Sequence, residues 1–277
     1  MMNTRLLTLY IAPLALFFST VMAEEPASRV LNYDVLSSGQ DVGEVTVKLS
    51  KNSDGYTVIE HSHLKVSSWW SGDFEITSIQ SETFQQGVGL VKSDSKTVYE
   101  REAHWSKVNA HGDQFLAEFT VIDKMTTQEA KQFSRLSFAL SRKASDNSKE
   151  AISLSETLFS NRNKPTHKEE FLRSSFDTTF NNLPLFIQKN GTQPLPKKLN
   201  ILDTEELEIS TVSLHDLGVE TIQVGKQKIK TRHLTLSDNK SKPLHLWIKE
   251  DAASLPYFVR YTGEDEDGPF DIILKTQ

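Results

Sequence analysis

The sequence predicts an α+β fold, a mainly antiparallel curved sheet or open barrel with a helical insertion covering one side. In the first and last thirds of the chain, apolar residues alternate with polar residues at the period of two that is typical of half-buried strands. Glycine- and asparagine-rich turn signals separate these runs at short intervals. The middle third has apolar spacings of three and four instead, which indicates helix. Strands, then helices, then strands are typical of an α+β domain.

The first predicted strands lie before residue 126. Val45, Val47 and Leu49 alternate with polar residues and place one apolar face inward. The turn signals around Gly39 and Gly55 then mark the ends of neighbouring strands. The predicted strands are 30–37, 42–50, 56–66, 74–84, 90–105 and 115–122.

The helical insertion is predicted at about 126–182. Its first part carries an apolar stripe that includes Ala130 and Phe133. In its second part, Thr166 and Glu169 have the spacing of a capping box, which predicts the start of a helix. The predicted helical face behind this box consists of Phe171, Leu172, Ser175, Phe176 and Phe180.

The last third returns to strands. The proline-rich stretch 183–196 is predicted to be an apolar connection. The strands predicted after it are 206–212, 219–224, 229–236, 244–249, 257–261 and 270–275. Since neither a repeat nor a low-complexity linker interrupts the pattern, we expect residues 24–277 to form a single domain.

Residues 1–23 have the three parts of a secretory signal peptide. One positive charge precedes the apolar run 6–21, and Val21-Met22-Ala23 forms a small-residue cleavage site. The run contains Pro13 and is shorter than the about 20 residues of a membrane span. We therefore expect cleavage after Ala23, a periplasmic location and no membrane span.

Composition excludes several classes of function. The 277 residues include no cysteine, which excludes disulfides, thiolate metal sites and a cysteine nucleophile. The 31 basic and 37 acidic residues give a net charge of -6, which argues against a general nucleic-acid binder. No phosphate-binding loop, nucleophile elbow or zinc-protease motif is present. We therefore predict no cofactor and assign no catalytic residue.

Three groups of landmarks carry a resemblance to a known type of protein. They are the opening 33–44 around the Gly39 turn, the hairpin 82–87, and the ending, in which hairpin 218–236 precedes the strands around Trp247 and 255–259. With these landmarks the chain resembles an uncharacterised family of exported bacterial domains of unknown function, which implies a β-rich periplasmic protein. It is also similar in outline to lipoprotein carriers and lipid-binding proteins of the Gram-negative envelope, which implies an apolar hollow between a curved sheet and helices.

Two aromatic groups are candidates for ligand binding. The first aromatic group lies next to a turn and consists of Trp69, Trp70 and Phe74; it either lines an apolar opening or closes the end of the sheet. The second aromatic group lies on the predicted helix and consists of Phe171, Phe176 and Phe180; it either belongs to the core or lines a cavity. The candidate ligand-binding residues are Trp69, Trp70, Phe74, Phe171, Phe176 and Phe180.

His61 and His63 are the strongest pair of candidate metal ligands. Residues two apart on a strand face the same way, so both imidazoles have access to one ion. A third ligand would have to come from His104, Glu60 or Glu102. The alternative is two surface histidines on a polar strand face, and we predict no metal.

The leading functional hypothesis is a periplasmic non-catalytic protein that binds either an apolar ligand, such as a lipid or acyl chain, or an envelope protein partner. It depends on the signal peptide, the sheet-plus-helices pattern and the missing catalytic motifs. One alternative is a hydrolase acting on envelope lipid or glycan, which requires a buried histidine, carboxylate and hydroxyl in one cleft. The other is a structural or assembly factor.

Overall fold

A computed structural model defines the strands of the chain. It describes residues 28–68, 72–99, 102–141, 164–191, 194–238, 242–250, 255–265 and 268–276. The strands in these ranges are β1 Ser28–Ser37, β2 Gln40–Asn52, β3 Gly55–Ser68, β4 Gly72–Gln85, β5 Gly89–Tyr99, β6 Glu102–His111, β7 Gln114–Ile122, β8 His167–Leu172, β9 Thr178–Thr179, β10 Lys198–Asp203, β11 Glu208–Val224, β12 Gln227–Ser237, β13 Leu244–Lys249, β14 Tyr257–Asp265 and β15 Gly268–Leu274.

All of these strands belong to one open sheet. They hydrogen-bond in the order β8-β7-β6-β5-β4-β3-β2-β1-β15-β14-β13-β12-β11-β10-β9, so β8 and β9 are its two edges. Neighbours pair antiparallel except β9 and β10, which run parallel. β1 pairs with both β2 and β15 and so joins the first half of the chain to the last. The prediction of a mainly antiparallel sheet is confirmed, and the described strands do not close into a barrel.

The sheet bends back on itself. Thr179 on edge strand β9 hydrogen-bonds to Glu82 on β4, although these strands are far apart in the order of the sheet. In the same way, Tyr56 on β3 donates a hydrogen bond to Asn182, which follows β9. Side chains from the two halves therefore meet inside the curve, where one apolar cluster contains Val58, Phe115 and Leu202.

Two α-helices lie in the described part of the chain, α1 Thr127–Ser141 and α2 Leu183–Asn190. α1 begins with a true capping box, in which Glu129 accepts from the Thr126 amide across 2.7 Å and the Glu129 amide donates back to Thr126 Oγ1. Phe133 on α1 packs with Ile79 and Trp105 on the sheet. Neither helix is long and apolar enough to cross a membrane.

The helix predicted after Thr166 is wrong. Residues His167–Leu172 form β8, which pairs antiparallel with β7. The Thr166 amide and hydroxyl both donate to the Phe119 carbonyl oxygen of β7, so Thr166 does not cap a helix. Pairing with an open sheet edge therefore overrides the Thr-x-x-Glu signal at Thr166. The capping box that the structure contains belongs to a different Thr-x-x-Glu sequence, at Thr126 and Glu129.

Three other boundaries differ from the predictions. The predicted strand 90–105 is two paired strands, β5 and β6. The predicted strands 206–212 and 219–224 are parts of β11, whose pairing with β12 shifts between Asp216 and Gly218. The stretch 183–196, predicted as a connection, contains α2, which has a proline in its first turn, where the missing amide hydrogen costs nothing.

Candidate functional site

The candidate site begins with two glutamates on the concave face of the sheet. Along β3, Val58 and Glu60 share a face, because alternate residues of a strand point the same way. In the β3–β4 register, Val58 lies opposite Glu82 and Glu60 lies opposite Gln80. Glu60 and Glu82 are therefore diagonal neighbours, a relationship that brings long side chains within reach of each other.

Glu82 is held by a complete set of hydrogen bonds. Its Oε2 accepts from the Thr179 hydroxyl across 2.9 Å, and its Oε1 accepts from the Thr204 hydroxyl across 2.9 Å. Gln80 Nε2 donates to Glu82 Oε1 at 3.3 Å and to Thr204 Oγ1 at 2.5 Å. Since Thr179 and Thr204 come from the second half of the chain, this network joins β4 to the opposite end of the sheet.

Glu60 has a different environment. Within the described ranges, no side chain or amide donates a hydrogen bond or contributes an ion pair to its carboxyl group. The side chain is half-buried, and the exposed part of it borders two spaces inside the curve of the sheet. Glu60 thus lacks a donor among the described residues, in contrast to Glu82.

Both glutamates titrate far above the usual range of carboxyl groups. Burial raises the pKa of Glu60 to about 7, and the Glu205 carboxylate acts in the same direction. Burial also raises the pKa of Glu82 to about 7, although its hydrogen bonds from Thr179 and Thr204 oppose the shift. Such perturbed carboxyls are frequent at functional sites.

The two glutamates border a cavity of about 410 Å³ between the two halves of the sheet. This volume is in the range of about 300–1,000 Å³ that is typical of small-molecule sites. The apolar part of its lining consists of Phe180, Ile201, Leu202, Val212, Leu236, Leu244 and Tyr261. A second space of about 30 Å³ adjoins it, and Glu60, Phe180, Asn181 and Tyr261 border both.

The polar part of the lining is strongly acidic. Besides Glu60 and Glu82 it includes Asp203, Glu205 and Asp238, whereas the basic groups among the described lining residues amount to a single lysine, Lys242. Lys242 is exposed and forms an ion pair with Glu264. The exposed lining residues include Ser210, Asp238 and Lys242, whereas Glu82 is buried, so the cavity has its entrance beside the three exposed residues and Glu82 at its inner end.

Among the predicted ligand-binding residues whose side chains the structure describes, Phe180 borders the cavity. Its ring stacks on Phe258 with centroids 5.0 Å apart and meets Tyr261 edge-on. Phe171 and Phe176 pack against Phe115 instead, at centroid distances of 5.5 Å, and border neither of the two spaces. The second aromatic group is thus divided between a core cluster and a cavity wall.

The first aromatic group is only partly described. Trp69 and Trp70 lie outside the described residues. The backbone of Phe74 lies on β4 opposite Val66 of β3, but its side chain is not among those that the structure describes. Ligand binding by these three residues stays a prediction.

The two histidines proposed as metal ligands lie on the face of β3 opposite to Glu60. His61 is buried, and burial lowers the pKa of its imidazole to about 4. His63 Nδ1 lies 3.1 Å from Thr77 Oγ1. No group of three or more potential metal ligands occurs among the described residues. Glu60 does not approach the two imidazoles, because adjacent residues of a strand point to opposite faces.

A histidine, a hydroxyl and a carboxylate do come close together at Glu205, but not in the order of a nucleophile relay. The Thr97 hydroxyl donates to Glu205. His104 Nε2 pairs with Glu102 at 2.5 Å rather than with Thr97. A Ser-His-Asp type of relay places a histidine between the hydroxyl and the carboxylate, and His104 does not take that place here.

Comparison with known proteins finds similarity to a protein and a domain model of unknown function. The chain is similar in fold to a crystal structure described as a beta-barrel-like protein of domain of unknown function DUF1849 from Brucella abortus, with a TM-score of 0.56 and 6% sequence identity over 90% of this chain and 95% of that chain. A comparison with curated protein sequences gives no match. Residues 33–133, which include both glutamates, match the model of a domain of unknown function, DUF6134.

Proposed function

We propose that the protein binds a small molecule with an apolar body in the cavity between the two halves of the sheet. The observation that carries this proposal is the cavity itself, about 410 Å³ in volume, with one apolar wall and one polar end. Apolar lining with a few fixed polar groups is the usual composition of a ligand site. A lipid or acyl chain is the ligand class that this wall favours.

The apolar wall is supported from behind. Phe180 stacks on Phe258, and Tyr261 meets both rings, so neighbouring aromatic groups restrain the side chains that border the space. Leu236 belongs to the apolar cluster that contains Leu234 and Leu246, and Leu244 packs against this cluster. A wall that packing already holds in place favours binding, because little side-chain entropy is lost when a ligand enters.

We further propose that the protein acts in the bacterial periplasm after cleavage behind Ala23. The support is the charged start, apolar run and small-residue site within residues 1–23. Cell fractionation and N-terminal sequencing of the exported protein test this, and a mature chain beginning elsewhere than Glu24, or one retained in the cytoplasm, would contradict it.

Native mass spectrometry of protein purified without detergent tests ligand binding. We expect an additional mass that solvent extraction removes, and saturable binding of the fluorescent probe 1-N-phenylnaphthylamine by the extracted protein at one molecule per chain. Protein that is only ever empty, and that does not bind the probe saturably, would show the proposal to be wrong.

One observation favours a second candidate function, hydrolysis of an envelope lipid or glycan. Glu60 and Glu82 are neighbouring carboxyl groups with pKa values raised to about 7, which suits general acid–base chemistry near neutral pH. A panel of nitrophenyl esters and glycosides tests this, with Glu60→Gln and the surface variant Glu75→Gln compared. Turnover that Glu60→Gln abolishes and Glu75→Gln keeps would support hydrolysis, and no turnover would exclude these substrates.

A further inference from the structure

We propose that the ligand carries an ammonium or similar cationic, hydrogen-donating head group that binds Glu60, with its apolar body along the wall formed by Phe180, Leu236 and Leu244. This inference rests on the proposed function, because it specifies the ligand of the same cavity. It follows from the difference between the two glutamates and from the distribution of charge around them.

Glu60 is the acceptor that the protein leaves available. Both oxygens of Glu82 already accept hydrogen bonds from threonine hydroxyls. Glu60 has no donor among the described residues, and its side chain borders both internal spaces. A carboxyl group that borders a cavity and receives no donor from the protein forms a charge-assisted hydrogen bond when the ligand supplies the donor.

The surrounding charge favours a cation over an anion. Glu82, Asp203 and Glu205 border the same cavity as Glu60. The one lysine among the described lining residues, Lys242, is exposed and pairs with Glu264. Because like charges repel and opposite charges attract more strongly beside a protein wall than in bulk water, these carboxyl groups disfavour an anionic head and favour an ammonium group.

The aromatic wall beside Glu60 suits the same head group. Phe180 and Tyr261 border both spaces together with Glu60. Tyr33 borders the smaller space as well, but its hydroxyl already donates a hydrogen bond to the Phe258 carbonyl oxygen at 2.8 Å. Aromatic faces attract ammonium groups, especially where water is excluded. The polar end thus combines one free carboxyl group with rings that tolerate a cation.

Three probes with the same tail and different heads test the inference. Dodecylammonium, dodecanol and dodecanoate, each below its micelle-forming concentration, compete with 1-N-phenylnaphthylamine for the full-length mature protein at pH 8. We expect dodecylammonium to bind about tenfold more tightly than dodecanol, as a charged hydrogen bond predicts, and dodecanoate to bind most weakly. Dodecanol or dodecanoate binding as tightly as the amine would overturn the inference while leaving the proposed function intact.

Two variants assign the preference to Glu60. Glu60→Gln keeps the size of the side chain and removes the charge, so the ratio between amine and alcohol should fall to about threefold or less. Glu75→Gln makes the same change on the exposed part of β4, where Glu75 pairs with Lys65 at 3.7 Å, and should keep the wild-type ratio. An unchanged ratio in Glu60→Gln would also overturn the inference. If none of the three probes competes in the wild type, the proposed function itself is wrong.

Discussion

The Thr179 hydroxyl donates to Glu82 Oε2 across 2.9 Å, although the two residues are separated by 97 positions in the sequence. Thr179 lies on the edge strand β9, and Glu82 lies on β4 in the first half of the sheet. Both side chains are almost completely buried, at 1% exposure each. This single contact therefore joins one edge of the open sheet to its interior and orients a carboxyl group of the cavity.

Replacing Thr179 with valine should destabilise the protein by about 1–3 kcal/mol, because it leaves a buried carboxyl oxygen without its donor. The same hydroxyl accepts from the Asn182 amide at 3.3 Å, so two hydrogen bonds are lost while the shape is kept. Urea denaturation of wild type and Thr179→Val measures the difference in the free energy of unfolding.

Thr46→Val is the matched control for this substitution. The Thr46 hydroxyl donates to Asn32 Oδ1 at 3.1 Å on an exposed part of the sheet, where water replaces the lost partner. Its cost should be within about 0.5 kcal/mol. Equal costs for the two variants would mean that the Thr179–Glu82 contact does not connect the sheet ends energetically.

Local sequence patterns predict most strands but not the site. The alternation that identifies β3 also places Glu60 on the face opposite to His61, which already argues against Glu60 as a third metal ligand. A glutamate on the apolar face of a strand, between Val58 and Ser62, is the signal that marks this position. No local pattern shows that Thr179 and Thr204 cover Glu82, because that depends on how far the whole sheet bends.

Gly43→Ala should be among the most destabilising single substitutions in the first half of the chain. Gly43 has φ +148°, and a Cβ atom there would lie 2.1 Å from the His63 carbonyl oxygen of the neighbouring strand. Because neither backbone can move without breaking the β2–β3 pairing, we expect a loss of about 2–4 kcal/mol in urea denaturation.

Gly39→Ala provides the comparison for Gly43. Gly39 also has a positive φ, +80°, but a Cβ atom there has nothing within 4 Å. Alanine at this turn should therefore cost only the backbone strain, about 1–2 kcal/mol. If Gly39→Ala were as destabilising as Gly43→Ala, the contact between β2 and β3 would not explain the requirement for glycine.

Stability should fall as the pH rises from 5 to 8, because Glu60 and Glu82 are protonated in the folded protein at pH values where the unfolded chain has lost these protons. Their folded pKa values of about 7 exceed the ordinary value of 4.5. The stabilising contribution is complete below pH 4.5 and disappears as the pH rises through 7. His61, with its pKa lowered to about 4, acts in the opposite sense between pH 6.5 and 4.

Comparison with Glu60→Gln isolates the contribution of Glu60 from that of His61. The titratable groups near the Glu60 carboxyl include Tyr33 and Tyr261, whose pKa values burial raises, and the acidic side chains of Glu82 and Glu205. Between pH 5 and 8, the wild type should lose about 1–3 kcal/mol more than Glu60→Gln in urea denaturation. Glu75→Gln should behave as the wild type does, and identical pH profiles for all three proteins would contradict the assignment.

Ser210→Phe should close the entrance of the cavity. Ser210 lies on β11, is exposed, and borders the cavity near Asp238 and Lys242, so a ring at this position occupies the path that a ligand takes. We expect binding of 1-N-phenylnaphthylamine to weaken at least about tenfold, with little change in the free energy of unfolding, because the site is on the surface.

Thr211→Phe places the same ring one residue further along β11, on the opposite face, where Thr211 donates to Asn200 at 2.7 Å. This variant should bind the probe like the wild type. Full binding by Ser210→Phe, or equal losses in both variants, would show that the ligand does not enter between β11 and the β12–β13 connection.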